Sequence, residues 1–209
     1  MVSSSVRLRL ALFLTSISHS DHSKAVKDIM KAGIDCYMSQ GTADALGVSG
    51  HRVHIIKPKQ QFKVGTWTIL PFDVQHDAVE PLAFLLANQD REKLLYATDT
   101  YYIKYRFQGL THIMIESNYS VDILKTNIET GTVDAILKKR LLKSHFSLEH
   151  VKDFLKANDL SQCRKIVLLH LSDYNSDAAR MVKEIQELTG IDTIAAEPGM
   201  EIELELYPY

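Results

Sequence analysis

Cysteine is nearly absent from this chain: Cys36 and Cys163 are the only two in 209 residues, far apart and not in a CxxC pair. That excludes a disulfide scaffold and points to buried thiols in a reducing, cytoplasmic setting. An excess of charge is missing too. The 24 basic and 26 acidic residues leave a formal net charge of −2, which excludes a protein that coats nucleic acid by bulk charge but leaves room for a local basic strip. No apolar run approaches the roughly 18 residues of a membrane span, so no membrane partner is expected. Leu10-Ala11-Leu12-Phe13-Leu14 behind Arg7 and Arg9 has the look of a short signal-peptide core. It is brief, lacks a clear small-residue cleavage site and leads straight into a polar cluster, so Val6 to Leu14 reads as a core strand. There is no GxGxxG, no Walker motif, no internal repeat and no low-complexity linker. The 45% hydrophobic and 24% charged content is that of an ordinary globular chain. Residues 1–209 are expected to form one domain with a sizeable core.

The apolar pattern alternates between strand and helix periods. Helices are expected over Ser23 to Gly33, Thr42 to Leu46 (stopped by Gly47), Val133 to Lys143, Ser147 to Lys156, and Ser176 to Leu188 before Gly190. Strands are expected at Cys36–Met38, Val53–Ile56, Leu82–Ala87, Lys93–Ala97, His112–Ile115, Lys165–Leu169, Ile191–Ala195 and Glu201–Leu206. Gln61–Val64 and Thr66–Leu70 read as a hairpin through Gly65, and Phe72–Gln75 continues as a strand. Hairpins mixed with helices imply an α/β (α+β) sandwich with mixed sheets and exclude a doubly wound parallel sheet.

What the chain does have is imidazole and carboxylate where apolar runs stop. His19, Asp21 and His22 fall within four positions after the first strand. His76, Asp99 and His170 each follow a later one. These are the ligand types of zinc and similar divalent ions, and rigid strand ends hold ligand geometry better than loops do.

In this setting His19-Ser20-Asp21-His22 resembles the H-x-H-x-D-H signature of the metallo-β-lactamase fold. Val74-Gln75-His76-Asp77-Ala78-Val79-Glu80-Pro81 resembles the segment carrying the next metal histidine, and Tyr96-Ala97-Thr98-Asp99-Thr100 the one carrying the bridging aspartate. Ile115-Glu116-Ser117-Asn118, Ser144-His145-Phe146-Ser147 and Leu169-His170-Leu171-Ser172 match further segments in the expected order. The resemblance covers roughly residues 12 to 206 and is strongest to compact bacterial and phage phosphohydrolases or DNA exonucleases. It implies a four-layer αβ/βα sandwich with its N-terminal strands shortened, and a site for up to two divalent ions, zinc or manganese. His19 and His76 would serve the first metal, Asp21, His22 and His170 the second, with Asp99 bridging. The implied reaction is hydrolysis of a phosphodiester or nucleic acid by a metal-activated water, which Asp21 could orient. His145 would contact substrate phosphate or assist the leaving group.

Two departures stand out. The first signature histidine is replaced by Ile17, which cannot bind a metal, and only about sixteen residues precede it. A sheet edge left uncovered there would favour a homo-oligomer. These departures keep open a non-catalytic relative binding one metal or none; hydrolysis of small esters, thioesters or lactams is the third reading. Lys138, Lys139, Arg140 and Lys143 crowd one helix and either track a phosphate backbone or form a solvated face. Tyr101, Tyr102 and Tyr105 read as packing residues, with base stacking as the other option. His51, His54, His112 and His150 read as structural.

Overall fold

The computed structural model describes residues 25–202. Strand Val6–Leu14, residues 17 to 22 and the end of the expected last strand therefore lie outside the described residues. Glu201 and Ile202 are described and are not in a strand.

Among the described residues, nine strands form two sheets. The small one pairs β1 (Cys36–Met38) with β2 (Val53–Ile55) in parallel. The large one runs in sequence order from β3 (Phe62–Val64) through β4 (Trp67–Asp73), β5 (Leu82–Ala87), β6 (Lys93–Ala97), β7 (His112–Glu116) and β8 (Lys165–Leu169) to β9 (Asp192–Ala195). The first three pairings are antiparallel and the last three parallel. The expected mixed sheet is present, and Phe72 and Asp73 extend β4 rather than starting a strand of their own.

Alternation along the strands sorts side chains to two faces. Ala83, Leu95, Ile113, Ile115, Ile166 and Leu168 pack with Val151, Phe154 and Leu155 of α5 (Leu148–Lys156) and with Met181 and Ile185 of α6 (Ala178–Thr189). Leu82, Phe84 and Leu86 face the other way, toward Tyr37 of β1 and Ile56. Behind the small sheet, Cys36 and Met38 meet Val26 of α1 (Val26–Lys31) and Ala43 of α2 (Gln40–Leu46). The order is thus helix, sheet, sheet, helix: the four layers expected from the sequence.

Helix ends follow local chemistry. Ser39 accepts from the Thr42 N–H and Gly47 closes α2 at φ 59°, where a Cβ would be strained. Ser147 accepts from the His150 N–H at the start of α5, as expected. The cap of α6 differs: Asp177, not Ser176, accepts from the Arg180 N–H, because the Ser176 hydroxyl donates back to the Ser172 carbonyl at 2.6 Å. Helix α3 (Val121–Glu129) was not among the elements expected from the sequence. Val121, Leu124 and Ile128 stand at i, i+3 and i+7, a helical period that those expectations passed over; only Leu124 is buried, with Ile128 packed beside it. It is followed by α4 (Ala135–Ser144), the basic helix.

Both cysteines are free and buried, and burial pushes the Cys163 thiol up to about 11. His112 is buried at the start of β7 with Nδ1 2.9 Å from the Thr111 hydroxyl. Burial, helped by the Lys165 charge, lowers its pKa to about 4. The unfolded ring titrates near 6.5, so in the window between these values only the unfolded chain binds this proton. The neutral ring's contribution is therefore fully present above pH 6.5 and lost as pH falls through 4. Replacing His112 by Gln is expected to remove about 1–3 kcal/mol of the acid sensitivity in that window. Urea unfolding of both proteins at pH 7 and pH 5 measures this; equal pH slopes would contradict it.

Candidate metal centre

Topology gathers the chemistry on one edge. β4 is antiparallel to β5, and β5 to β6, so β4 runs with β6; β7 and β8 are parallel to β6. The C-terminal ends of β4, β6, β7 and β8 therefore share an edge. His76 follows β4, Asp99 follows β6, Glu116 ends β7 and His170 follows β8. His145 reaches the same place from the end of α4.

Asp99, Glu116, His145 and His170 each offer a ligand atom, and these atoms all lie within 4.8 Å of one another. Glu116 is fully buried. Its Oε1 accepts from Nδ1 of His145 at 2.6 Å and from Nδ1 of His170 at 2.9 Å. Its Oε2 accepts from the Thr100 N–H at 2.8 Å. Burial alone would raise the Glu116 pKa, but the two imidazole hydrogen bonds outweigh it and hold the carboxyl below its ordinary value. The Asp99 carboxylate lies 3.3 Å from His170 Nδ1.

His76 sits one ring further out. Its ring centroid is 5.5 Å from that of His145, which is 5.1 Å from that of His170. His76 Nδ1 donates to the Ser144 carbonyl at 2.8 Å, and Nε2 lies 3.1 Å from Asp77 Oδ1. Burial pulls the His76 pKa below its usual value, favouring the neutral ring that metals bind.

The backbone around the centre is held in an unusual form. Asp99 and His170 both adopt positive φ, 54° and 55°. Such residues cost of order 1–3 kcal/mol each and cluster at functional sites. The surrounding bonds hold them there. The Thr100 hydroxyl accepts from the Gln75 N–H, tying the His76 segment to the Asp99 segment. Asn118 donates its side-chain N–H to the His170 carbonyl at 2.8 Å, and its backbone N–H to the Phe146 carbonyl at 2.9 Å. One residue thus fixes the loops of both His145 and His170.

The donor set fits a divalent cation: imidazoles and carboxylates converging on one point, with ring nitrogens hydrogen-bonded to a buried carboxylate, as in metal sites generally. The buried Asn118 Oδ1 and Ser144 Oγ, which have no hydrogen-bond partner among the described residues, sit beside it. Of the six ligands expected from sequence, His76, Asp99 and His170 come to this edge. His19, Asp21 and His22 lie outside the described residues, as does Ile17. His145, expected to meet substrate, is joined through Nδ1 to the carboxylate that holds His170. Glu116 and Asn118 lie in a segment that resembles the family's, and the resemblance implies no role for either. The readable signal was a carboxylate closing an apolar strand, the same placement as Asp99.

A family model described as the beta-lactamase superfamily domain matches residues 7–171. The chain belongs to the beta-lactamase superfamily. Among its relatives is the exodeoxyribonuclease WalJ of Streptococcus pneumoniae, 29% identical over 213 aligned positions covering 95% of this chain and 76% of that protein. The exodeoxyribonuclease YycJ of Bacillus anthracis is 28% identical over 85% of this chain and 71% of its own length. The crystal structure of YhfI from Bacillus subtilis, a metallo-beta-lactamase fold protein, superposes with a TM-score of 0.62 at 14% identity, covering 87% of this chain and 73% of that one. That last likeness concerns the fold alone. No helix among the described residues of this superfamily member is long and apolar enough to cross a membrane.

Proposed function

We propose that the chain is a metal-dependent phosphodiesterase that removes nucleotides from an end of DNA. The observation that carries this reading is the group Asp99, Glu116, His145 and His170 at the shared strand edge. The two relatives named as exodeoxyribonucleases supply the substrate class. His76 and His19 would serve one cation; Asp21, His22 and His170 would serve a second, with Asp99 between them. Zinc is the expected ion and manganese an acceptable one, given imidazole and carboxylate donors. A bound cation supplies Lewis acidity and an activated water for in-line displacement at phosphorus. The chain's own part is to hold those donors. Asp21 orients the water, and His145, with Nδ1 fixed by Glu116, presents Nε2 to the phosphate or leaving oxygen. Ile17 favours a second arrangement of the same site, in which the first position is weakened and one ion binds per chain.

Metal analysis of the purified protein, with hydrolysis of single-stranded DNA and of a chromogenic phosphodiester in zinc or manganese, tests the proposal. Bound metal and activity that a chelator removes are expected. A folded protein inactive on both substrates with either ion would end this reading. A cytoplasmic setting, in keeping with two free and buried cysteines, belongs to the same proposal.

A further inference from the structure

Four of the large apolar or aromatic side chains that stand exposed are not scattered. Val79 follows His76, Tyr102 follows Asp99, Val121 follows Asn118, and Tyr174 follows His170. Each is on a segment leaving the strand edge where the metal centre lies. Single exposed apolar residues need no explanation, but a set confined to the rim of one site marks a binding surface.

The two aromatic members are distinctive. Tyr102 is 55% exposed and Tyr174 is 75% exposed, yet their backbones are pinned. Tyr102 forms a bridge with Gln75 and donates its N–H to the Thr100 hydroxyl. The Tyr174 carbonyl accepts from the Asn127 side chain at 2.8 Å, and the next residue, Asn175, is buried and accepts from the Ser120 N–H. Rigid backbones carrying exposed rings are pre-ordered surfaces: a ligand stacking on them orders little else. The other two tyrosines of the first cluster do not share this. Tyr101 is half-buried, and Tyr105 is fixed through its hydroxyl to Asp73 and packs edge-on against Phe72.

The two tyrosines stand on different segments leaving the strand edge of the centre. Tyr102 is tied to the β4 side and Tyr174 leaves β8, four strand positions away in the sheet. Tyr102 also follows β6, two strands from β8, so at about 4.8 Å per strand the backbone anchors of the two residues are two to four strands, roughly 10–19 Å, apart, enough for more than one nucleotide. On the Tyr102 side Arg140 lies 3.5 Å from Asp77, next to His76, so the basic helix α4 passes the site with Lys139, Arg140 and Lys143 exposed. An anionic backbone with aromatic faces on it matches that surface. The faces of bases are available to tyrosine only when unstacked.

Resting on the nuclease reading, we propose that Tyr102 and Tyr174 are paired base-stacking platforms that select single-stranded nucleic acid. The test is the affinity of the full chain for a fluorescently labelled single-stranded oligonucleotide, measured by anisotropy in chelator so that no hydrolysis is needed. Tyr102→Ala and Tyr174→Ala are each expected to weaken binding about 5-fold or more, Tyr→Phe at either position to restore it, and an oligonucleotide of abasic sites to bind wild type as weakly as the alanine variants bind normal DNA. Affinity for blunt duplex and hydrolysis of a small chromogenic phosphodiester are expected to stay at wild-type levels in both variants. No binding of the single strand by wild type, unchanged affinity in both alanine variants, or an equal loss on duplex would overturn the proposal. Binding that follows these expectations without hydrolysis of any diester would overturn the nuclease reading and leave the platforms standing.

Discussion

Asp99→Asn is expected to lower phosphodiester hydrolysis by on the order of 10²–10³-fold and to release bound metal, with little change in thermal stability. Asparagine is the informative replacement. The backbone at Asp99 has φ 54°, a conformation that Asn tolerates nearly as well as Asp and that Ala does not. Alanine would thus mix strain with lost chemistry. Asparagine keeps the shape and removes only the charge, and Asp99 is 1% exposed, so water cannot screen that loss. A carboxylate 3.3 Å from His170 Nδ1 also offsets the cost of gathering cations and imidazoles in a buried place. Removing it takes one carboxylate from His170 and leaves in place the hydrogen bond to Glu116. The measurements are metal content, kcat/KM and Tm for the same preparation. Full metal content with wild-type kcat/KM in Asp99→Asn would show that the cluster is a structural network and not a metal centre.

The large sheet was legible because its strands are continuous apolar runs of five or six residues ending in polar ones: β5, β6 and β8 have the expected bounds. The relevant contrast is with α3. Its sequence places one fully buried residue, Leu124, among threonine, asparagine and aspartate, and its position is set by tertiary bonds: the Ser120 N–H to the Asn175 carbonyl, and Asn127 to Tyr174 and Asn175. Its local signal, Ser120 before the first turn and Val121, Leu124 and Ile128 at i, i+3 and i+7, is short and interrupted by polar residues, and the tertiary bonds complete it. The site divides along the same line. His76, Asp99 and His170 were readable as polar residues that end apolar runs. The work of Glu116 was not, because a carboxylate that binds two imidazoles and a loop N–H is defined by three segments far apart in sequence. Asn118, which ties the His145 and His170 loops, was hidden for the same reason. The tyrosines were readable as a cluster but not as a division of labour. Only the packing of Tyr105 and the exposure of Tyr102 separate them.

Glu116→Gln is expected to reduce metal affinity about 10–100-fold, the usual effect of losing a partner that orients a ligand. Glutamine is nearly isosteric, so volume does not decide the outcome; hydrogen-bond polarity does. If the amide oxygen keeps the place of Oε1, it can still accept from both Nδ1 atoms. The amide NH₂ then meets the Thr100 N–H, donor against donor, where the carboxylate accepts at 2.8 Å. If the amide flips, Thr100 is satisfied and the NH₂ faces the two ring nitrogens now held at 2.6 and 2.9 Å. Each ring must then turn its lone pair to Nδ1 and carry its proton on Nε2, the reverse of the tautomer in place. Either way the imidazoles lose an anionic partner that raises their basicity. Alanine would go further, taking from the Thr100 N–H and the His145 ring N–H the carboxylate acceptor each has now, at about 1–3 kcal/mol for each group, while His170 Nδ1 keeps the Asp99 carboxylate 3.3 Å away. Glu116→Ala is therefore expected to lose stability as well as metal, and Glu116→Gln chiefly metal. Isothermal titration with zinc, alongside thermal unfolding in chelator, separates the two effects. Wild-type zinc affinity in Glu116→Gln, with Tm lowered, would mean that this carboxylate only holds the fold together and does not tune the rings it touches.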